Sequence, residues 1–174
     1  MPKLRYSVAV SLDGFIAPPD GSVDWLTPYL AGVDFAALLA GFGGIITGRA
    51  SYDHAATLHG WDFPGWVTAV MTHRPIANPP PGITAFTDPH AALAHVTAHT
   101  QTGDIWLFGG GITATTLLAA GLLDEIELAI MPVLLGHGLP LFAATPKPTS
   151  LTLLSASTSP NGAQTQIYAV AQAN

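Results

Sequence analysis

The first stretch of the chain alternates apolar and polar residues, in the segment LRYSVAVS at positions 4–11. A two-residue alternation is typical of a β-strand with one face toward a core. The Leu-Asp-Gly that follows is a turn signal, so we expect this strand to end near Ser11. A loop rich in proline, glycine and aspartate, APPDGSVDW, comes next.

Short apolar runs and helical segments then alternate along most of the chain. The predicted strands are GIIT, WVTAVMT, ITAF, DIWLF and DEIELAIMPVLLG, and the predicted helices are FAALLAGF, GRASYDHAATL, DPHAALAHVTAHT and ITATTLLAAGLL. Asp34 and Asp88 can cap two of these helices, and Gly43 with Gly44 marks the end of the first. The last two apolar segments, SLTLLSAS and AQTQIYAVAQ, flank Pro-Asn-Gly and predict a hairpin.

This order of elements predicts the fold class. Strands that alternate with helices indicate a mostly parallel central sheet, and the closing run of strands indicates an antiparallel C-terminal hairpin. We therefore expect an α/β fold with helices on both faces of the sheet. A chain of 174 residues is long enough for one domain with a substantial core, and no linker or repeat divides it. We expect a single domain over residues 1–174.

Composition narrows the classes of function. Charged residues are 9% of the chain and only five are Lys or Arg, with a net charge of −6, which argues against a nucleic-acid surface. The apolar stretch 35–48 is shorter than the roughly 20 residues of a bilayer span, and no signal-peptide pattern is present. The chain has no cysteine, which excludes disulfides and thiol chemistry. We expect a soluble, cytoplasmic protein that binds neither nucleic acid nor membrane.

Three consecutive glycines lie between the segment DIWLF and the helix that follows it. Glycine lets a backbone approach closely, and free amides at a helix start attract negative charge. The residues Gly109, Gly110, Gly111, Ile112 and Thr113 therefore predict a phosphate or pyrophosphate site, the alternative being a tight turn without a ligand. Their spacing matches the dinucleotide fingerprint G-x-G-x-x-A, but their late position and the lack of a suitably placed acid argue against that fold.

Two arginines follow predicted strands in similar positions, Arg49 in IITGR and Arg74 in VMTHR. The carboxyl ends of parallel strands share one edge of a sheet, which is where ligands of open α/β sheets bind. Two arginines near an anion-binding helix start suit a nucleotide with an extra phosphate, as in NADP. The alternative is that each arginine is a surface charge. His95 and His99 are four residues apart on a predicted helix, but no further ligand is adjacent, so we expect no metal site.

The segments SLDGFIA, DWL, ITGRASYD, MTHRP, FGGGITATTLL and PVLLGHGLPLF occur in this order. In these motifs, from about Ser7 to Phe142, the chain resembles the reductase domain of the bifunctional riboflavin-biosynthesis deaminase-reductases, a branch of the dihydrofolate reductase fold. The resemblance implies a three-layer dihydrofolate reductase-like fold, NADPH as cofactor and, together with the apolar composition, a homodimer. The zinc signature of a deaminase is absent, so only reduction is expected.

The resemblance also implies site residues. Ala9 and Ile16 would line the nicotinamide, and Trp25 would close its loop over the cofactor. Thr47, Gly48 and Arg49 would contact the pyrophosphate and the 2′-phosphate of the adenosine, with Thr72 and Arg74 around the adenosine side. The segment from Gly109 to Thr113 would hold the pyrophosphate. Asp34 lies near the position of the carboxylate that assists protonation in dihydrofolate reductases, but it is equally placed to cap a helix. Asp13 belongs to the motif SLDG, but Asp-Gly is also a turn signal.

The identity of the substrate is the feature of the expected reaction that the sequence determines least. The riboflavin precursor carries a ribose phosphate and dihydrofolate a glutamate tail, whereas only histidines, His54, His59 and His73, lie between Arg49 and Arg74. The residues Asp13, Trp25, Asp34, Trp61, Phe63 and Phe108 are the candidate substrate pocket. Its apolar side chains would suit an uncharged substrate, the alternative being that the loop GWDFPGW is only pinned to the core.

We therefore expect an NADPH-dependent reductase that transfers hydride to a small heterocyclic substrate. The alternative is a nucleotide-binding or regulatory protein that keeps the cofactor groove without turnover.

Overall fold

The computed structural model describes residues 1–59, 61, 63, 65–145 and 147–171, without the side chains of Leu58 and His59. The strands are β1 (Leu4–Ser11), β2 (Phe15–Ala17), β3 (Phe42–Gly48), β4 (Val67–Met71), β5 (Ile83–Phe86), β6 (Asp104–Phe108), β7 (Glu125–Met131), β8 (Leu139–Pro140), β9 (Leu151–Thr158) and β10 (Gln164–Val170). The helices are α1 (Phe35–Leu39), α2 (Arg49–His59), α3 (Pro89–His99) and α4 (Gly111–Ala119), and a 3-10 helix spans Asp24–Tyr29.

One eight-stranded sheet forms the centre of the molecule, in the order β5-β4-β3-β6-β1-β7-β10-β9. The six strands from β5 to β7 are parallel, and β10 is antiparallel to both β7 and β9. A separate antiparallel pair joins β2 to β8. These pairings confirm the α/β class with a mostly parallel sheet and an antiparallel C-terminal hairpin.

Helices cover both faces of the sheet, because its strands are apolar on both sides. On one face, α3 and α4 pack on a core that includes the buried side chains of Leu4, Ile46 and Leu107. On the other face, Tyr52 of α2 packs against Val70 and Ile83. We call this second face the open face, because half-buried residues of β1 and β6, such as Ala9 and Trp106, also point to it. No helix in the described part of the chain is long and apolar enough to span a bilayer.

The structure corrects one boundary. The prediction that Gly43 and Gly44 end the first helix is wrong, because α1 ends at Leu39 and both glycines lie inside β3. A methyl group at Gly43 would overlap the carbonyl oxygen of Thr102. Glycine is therefore required there by close packing rather than by a helix terminus.

Three short elements lie outside the predicted strands and helices. They are β2, β8 and the 3-10 helix, which has six residues. Strands of two or three residues are too short for an alternation to be detected. The caps Asp34 and Asp88 are confirmed, since they accept the amides of Ala37 and Ala91.

The pairing of β1 with its two neighbours is unequal. It pairs with β7 over nearly its whole length, from Arg5 to Ser11. With β6, however, it pairs only at Leu4↔Ile105 and Arg5↔Trp106. The two strands therefore separate toward their carboxyl ends and leave what we call the β1–β6 gap. A crevice at the carboxyl edge of a parallel sheet is where such folds bind ligands.

Candidate functional site

The turn from β6 to α4 lies at the carboxyl edge, beside the β1–β6 gap. Gly109 has a positive φ of +110°, and a methyl group there would overlap the hydroxyl of Ser51 on α2. That hydroxyl accepts the amide of Gly110 at 3.1 Å. A methyl group at Gly111 would overlap the carbonyl oxygen of Pro140. The predicted need for a tight turn is therefore met at Gly109 and Gly111.

Gly110 is different, because no packing requires it to be glycine. Its φ of −72° and ψ of 155° are ordinary, and the nearest atom to an added methyl group would be Ser51 Oγ at 3.7 Å. Gly110 is the N-cap of α4, and no side chain caps this helix. The first-turn amides of Gly111, Ile112 and Thr113 have no partner within the helix. This helix start fits the predicted anion site.

Ser51 is a contributor that the sequence analysis missed. It lies in the first turn of α2, two residues after Arg49 and within the motif ITGRASYD. Its hydroxyl fixes the glycine turn at the level of Gly110. The only sequence signal for this role was its place after a strand that ends at the same edge.

Arg49 is bound by its own neighbourhood. Its Nε donates to both carboxylate oxygens of Asp53, at 2.8 and 2.9 Å, and its Nη1 donates to the carbonyls of Arg74 and Pro75, at 3.2 and 3.1 Å. The hydroxyl of Thr72 also accepts the amide of Arg74 at 3.0 Å. Arg49 and Thr72 therefore hold the loop that carries Arg74.

The side of the sheet at β4 and β5 contains a cleft of about 290 Å³. It is lined by Thr72, His73, Arg74, Pro75, Phe86 and Asp88, among others. Within the described residues Arg74 makes no ion pair, whereas Arg49 pairs with Asp53. The structure thus brings one arginine without an ion pair to the same edge as the helix start of α4.

Two predicted cofactor residues lie beneath the glycine turn rather than at its surface. Thr47 is fully buried, and its hydroxyl donates to the carbonyl of Gly48 at 3.3 Å. A methyl group at Gly48 would overlap the hydroxyl of Thr113. These residues therefore allow α4 to approach β3. Ala9 on β1 and Ile16 on β2 are half-buried, so both are accessible in part.

The two aspartates have structural partners. Asp34 is exposed and caps α1, accepting the Ala37 amide at 2.9 Å. Asp13 accepts the Ser11 hydroxyl at 2.6 Å and the amides of Leu135 and Gly136 at 3.1 and 2.7 Å. These bonds, that of Ser11 first, hold the pKa of Asp13 below its usual value. Asp13 therefore joins the loops that follow β1 and β7.

Four rings form one cluster on the open face, which we call the aromatic cluster: Trp61, Phe63, Trp106 and Phe108. Their ring centroids lie 5.0 to 6.0 Å apart. Trp61 also donates through Nε1 to the Thr68 hydroxyl at 3.2 Å. Trp61 and Phe63 thus contact rings of β6, which fits the alternative of a loop pinned to the sheet and leaves the substrate pocket a prediction. Trp106, which donates to the carbonyl of Ser7 at 2.9 Å, was missed.

The histidines form no metal centre in the part of the chain that the structure describes. His95 packs against the ring of Phe86 and against His99. Burial, followed by the charge of His99, lowers the pKa of His95. The side chain of His59 lies outside the described residues. Trp25 lies half-buried in the 3-10 helix.

Comparison with known proteins agrees with this geometry. The family model for the RibD C-terminal domain matches residues 68–165, which is more than half of the chain. The uncharacterized protein YwjB of Bacillus subtilis is 29% identical over 84% of this chain and 86% of its own.

Two solved structures are similar over almost the whole chain. A Shewanella sp. PV-4 protein whose name places it in riboflavin biosynthesis is 25% identical, with a TM-score of 0.81, and the match covers 99% of this chain and 100% of that one. Acinetobacter baumannii RibD has the same fold, with 21% identity, a TM-score of 0.74 and coverage of 98% of this chain but 58% of RibD. The expected dihydrofolate reductase-like architecture is confirmed, and the chain belongs to the RibD C-terminal domain family.

Proposed function

We propose that this protein is an NADPH-dependent reductase that delivers hydride to a small heterocyclic substrate. One observation carries the proposal: the open helix start of α4, the β1–β6 gap and the cleft of Arg74 all lie along one edge of the sheet. An elongated ligand with phosphates along its length suits such an edge. Membership in the RibD C-terminal domain family supports the same class of reaction.

The residues at this edge fit NADPH. The amides at the start of α4 would bind the pyrophosphate, and the lack of a side chain at Gly110 leaves room for it. Arg74 would bind the 2′-phosphate, while Arg49 holds the loop that carries it. Ala9, a small residue beside the gap, would leave space for the nicotinamide. When bound, NADPH supplies the hydride, and the chain orients it toward the substrate.

Reduction also needs a proton, and Asp34 was the predicted donor. In the structure its carboxylate is exposed and accepts a backbone amide as a helix cap. This geometry gives water direct access to the carboxyl group. It also favours the second candidate function, a nucleotide-binding protein without turnover, because the cap already accounts for this carboxylate.

Asp34→Asn separates the two roles of this residue. Asparagine caps helices about as well as aspartate, so the fold should be unchanged. If Asp34 supplies the proton, kcat should fall by at least about 100-fold. An unchanged kcat would leave Asp34 as a cap only.

The proposed activity is tested by following NADPH absorbance with dihydrofolate, the riboflavin precursor and uncharged heterocycles. The reductase proposal expects both binding and oxidation of NADPH. Binding without oxidation for every acceptor would support the regulatory alternative. If millimolar NADPH does not raise the melting temperature, both functions are contradicted.

The far edge of the sheet supports the expected homodimer. Every residue of β9 is exposed, including Leu151, Leu153 and Leu154, which keep 44%, 54% and 53% of their surface accessible. An exposed apolar edge strand is a site for pairing with another chain. Neither β9 nor β10 carries a charged residue. Two negatively charged copies could therefore meet here without repulsion, and we propose that they do.

A further inference from the structure

The segment 21–29, which we call the bridge, crosses the carboxyl edge. At one end, a methyl group on Gly21 would lie 4.0 Å from the imidazole of His54 on α2. At the other end, the Tyr29 hydroxyl donates to the carbonyl of Pro132 at 3.5 Å. The backbone carbonyl of Tyr29 accepts from the side-chain amide of Asn161 at 3.0 Å. α2 follows β3, and Pro132 follows β7. Because β6 and β1 lie between β3 and β7, the bridge passes over the β1–β6 gap.

Trp25 lies in the middle of the bridge. Its indole Nε1 is buried and has no acceptor among the described residues. A buried N–H without an acceptor destabilises the fold, and a buried tryptophan usually has a partner for its N–H. The other buried side-chain atom of this kind, Arg5 Nε, lies 3.5 Å from a carboxylate oxygen of Glu125. The indole of Trp25 is therefore a buried donor, in the segment that crosses the gap, for which the described residues supply no acceptor.

The cations at the amino end of the open face are already neutralised. Arg5 of β1 lies opposite Trp106 of β6 in the strand register, so it lies at the end of the aromatic cluster. Its guanidinium contacts Asp104, Glu125 and Glu127. Lys3 also pairs with Glu125. Three carboxylates thus face two cations, and this region favours no further negative charge.

The remaining basic residues lie elsewhere. Arg49 pairs with Asp53, and Arg74 lines the cleft at β4 and β5. Lys147 lines a second cleft with Leu118 of α4 and Val170 of β10, on the face of the sheet opposite the aromatic cluster. No lysine or arginine without an ion pair therefore faces the aromatic cluster in the described structure.

We infer that the substrate is an uncharged heterocycle whose carbonyl oxygen or ring nitrogen accepts a hydrogen bond from Trp25 Nε1, with no phosphate or carboxylate arm. This inference rests on the proposed function. The aromatic cluster and Ala9 offer apolar surface for the ring, and the bridge offers one neutral donor. A phosphate or glutamate tail would enter this region without a cation to pair with, which is costly for a desolvated anion.

Two matched pairs of probes test the charge of the substrate. They are 5-amino-6-ribosylaminouracil with its 5′-phosphate, and 6-methyl-7,8-dihydropterin with dihydrofolate. We expect the uncharged member of at least one pair to have a kcat/KM about tenfold higher or more with NADPH, which is about 1.4 kcal/mol. Equal rates in both pairs, a faster anionic member, or no reduction or binding of either uncharged probe would overturn the inference.

Trp25→Phe tests the donor, because it removes the N–H and keeps an aromatic ring. We expect KM for the preferred uncharged probe to rise about tenfold, while the Kd of NADPH changes less than about twofold. Tyr168→Phe is the control, since it removes an aromatic donor on the opposite face. An unchanged KM in Trp25→Phe would refute the assignment of the donor.

The outcomes separate this inference from the proposed function. Failure to bind NADPH contradicts the reductase itself. Binding and oxidation of NADPH with a preference for the anionic probes contradicts only the substrate class.

Discussion

At the scale of single residues, hydrogen bonds decide which predicted site residues can reach a ligand. Arg49 looked like a phosphate ligand, but its guanidinium is held by Asp53 and by two carbonyls of the loop that carries Arg74. The sequence could not show this, because the loop is 25 residues further along the chain. Arg74 was predicted on the adenosine side, and in the structure it lines the cleft at β4 and β5.

Asp13 gives a prediction at this scale. Its three hydrogen bonds join the loops after β1 and β7 and hold its pKa below the usual 3.8. Stability from the carboxylate is therefore full above that value and is lost as the pH falls through the lower pKa of the folded state. Asp13→Asn should lower the urea midpoint at neutral pH, and the difference from the native protein should shrink below pH about 4.

Asp20→Asn is the matched control, because Asp20 accepts one amide within its own loop, from Ser22. Its urea midpoint should change less than that of Asp13→Asn. A difference between the native protein and Asp13→Asn that stays constant down to the lowest pH would contradict the role given to the Asp13 carboxylate.

At the scale of elements, the turn between β6 and α4 combines packing with ligand approach. Gly109 and Gly111 are fixed by contacts with Ser51 and Pro140, whereas a methyl group at Gly110 would make only an ordinary contact with Ser51. The sequence predicted both the tight turn and the anion site as alternatives. In the structure, Gly109 and Gly111 form the tight turn, and Gly110 remains available for the anion site.

Substitution of the glycines separates these roles. Gly109→Ala should lower the free energy of unfolding by about 2 kcal/mol or more, because alanine at positive φ is strained and would also overlap Ser51. Gly110→Ala should keep the unfolding free energy within about 1 kcal/mol, yet raise the Kd of NADPH at least about tenfold. Chemical denaturation and fluorescence titration measure the two effects. Native affinity in Gly110→Ala would contradict the helix-start site.

Element boundaries show where pattern reasoning ends. Most strands and helices follow from periodicity and caps, as Asp88 and Pro89 show for α3. The start of β3 does not follow from periodicity or caps. Its two glycines are required because Thr102 and Val96 approach them closely from elsewhere in the fold. The bridge carries no strong periodicity, and its course is defined by its neighbours elsewhere in the fold, His54, Pro132 and Asn161.

At the scale of the whole molecule, the two edges of the sheet differ. The edge at β5 lies beside the cleft of Arg74, while β9 at the other edge is exposed along its full length. The antiparallel hairpin was predicted from its turn and its alternation. The exposure of its leucines could not be predicted, since they resemble core residues in sequence.

The proposed dimer gives a prediction for this edge. The native protein should have twice the mass of one chain in light scattering at micromolar concentration. Leu153→Lys should give a folded monomer. Leu153 is half exposed, so the substitution should not disturb the core, and the introduced lysines of two copies would repel each other at the interface. Leu134→Lys changes an exposed leucine outside this face and should remain dimeric. A native monomer would contradict the proposal.

The central claim is that the carboxyl edge binds NADPH, with Arg74 on the 2′-phosphate. Equilibrium titration with NADPH and NADH tests it most directly, in the native protein, in Arg74→Ala and in Lys147→Ala, which removes the same charge from the opposite face. We expect the native protein and Lys147→Ala to prefer NADPH at least about tenfold, and Arg74→Ala to reduce this preference to about twofold or less. Equal affinity of the native protein for both nucleotides, or an undiminished preference in Arg74→Ala, would contradict the account.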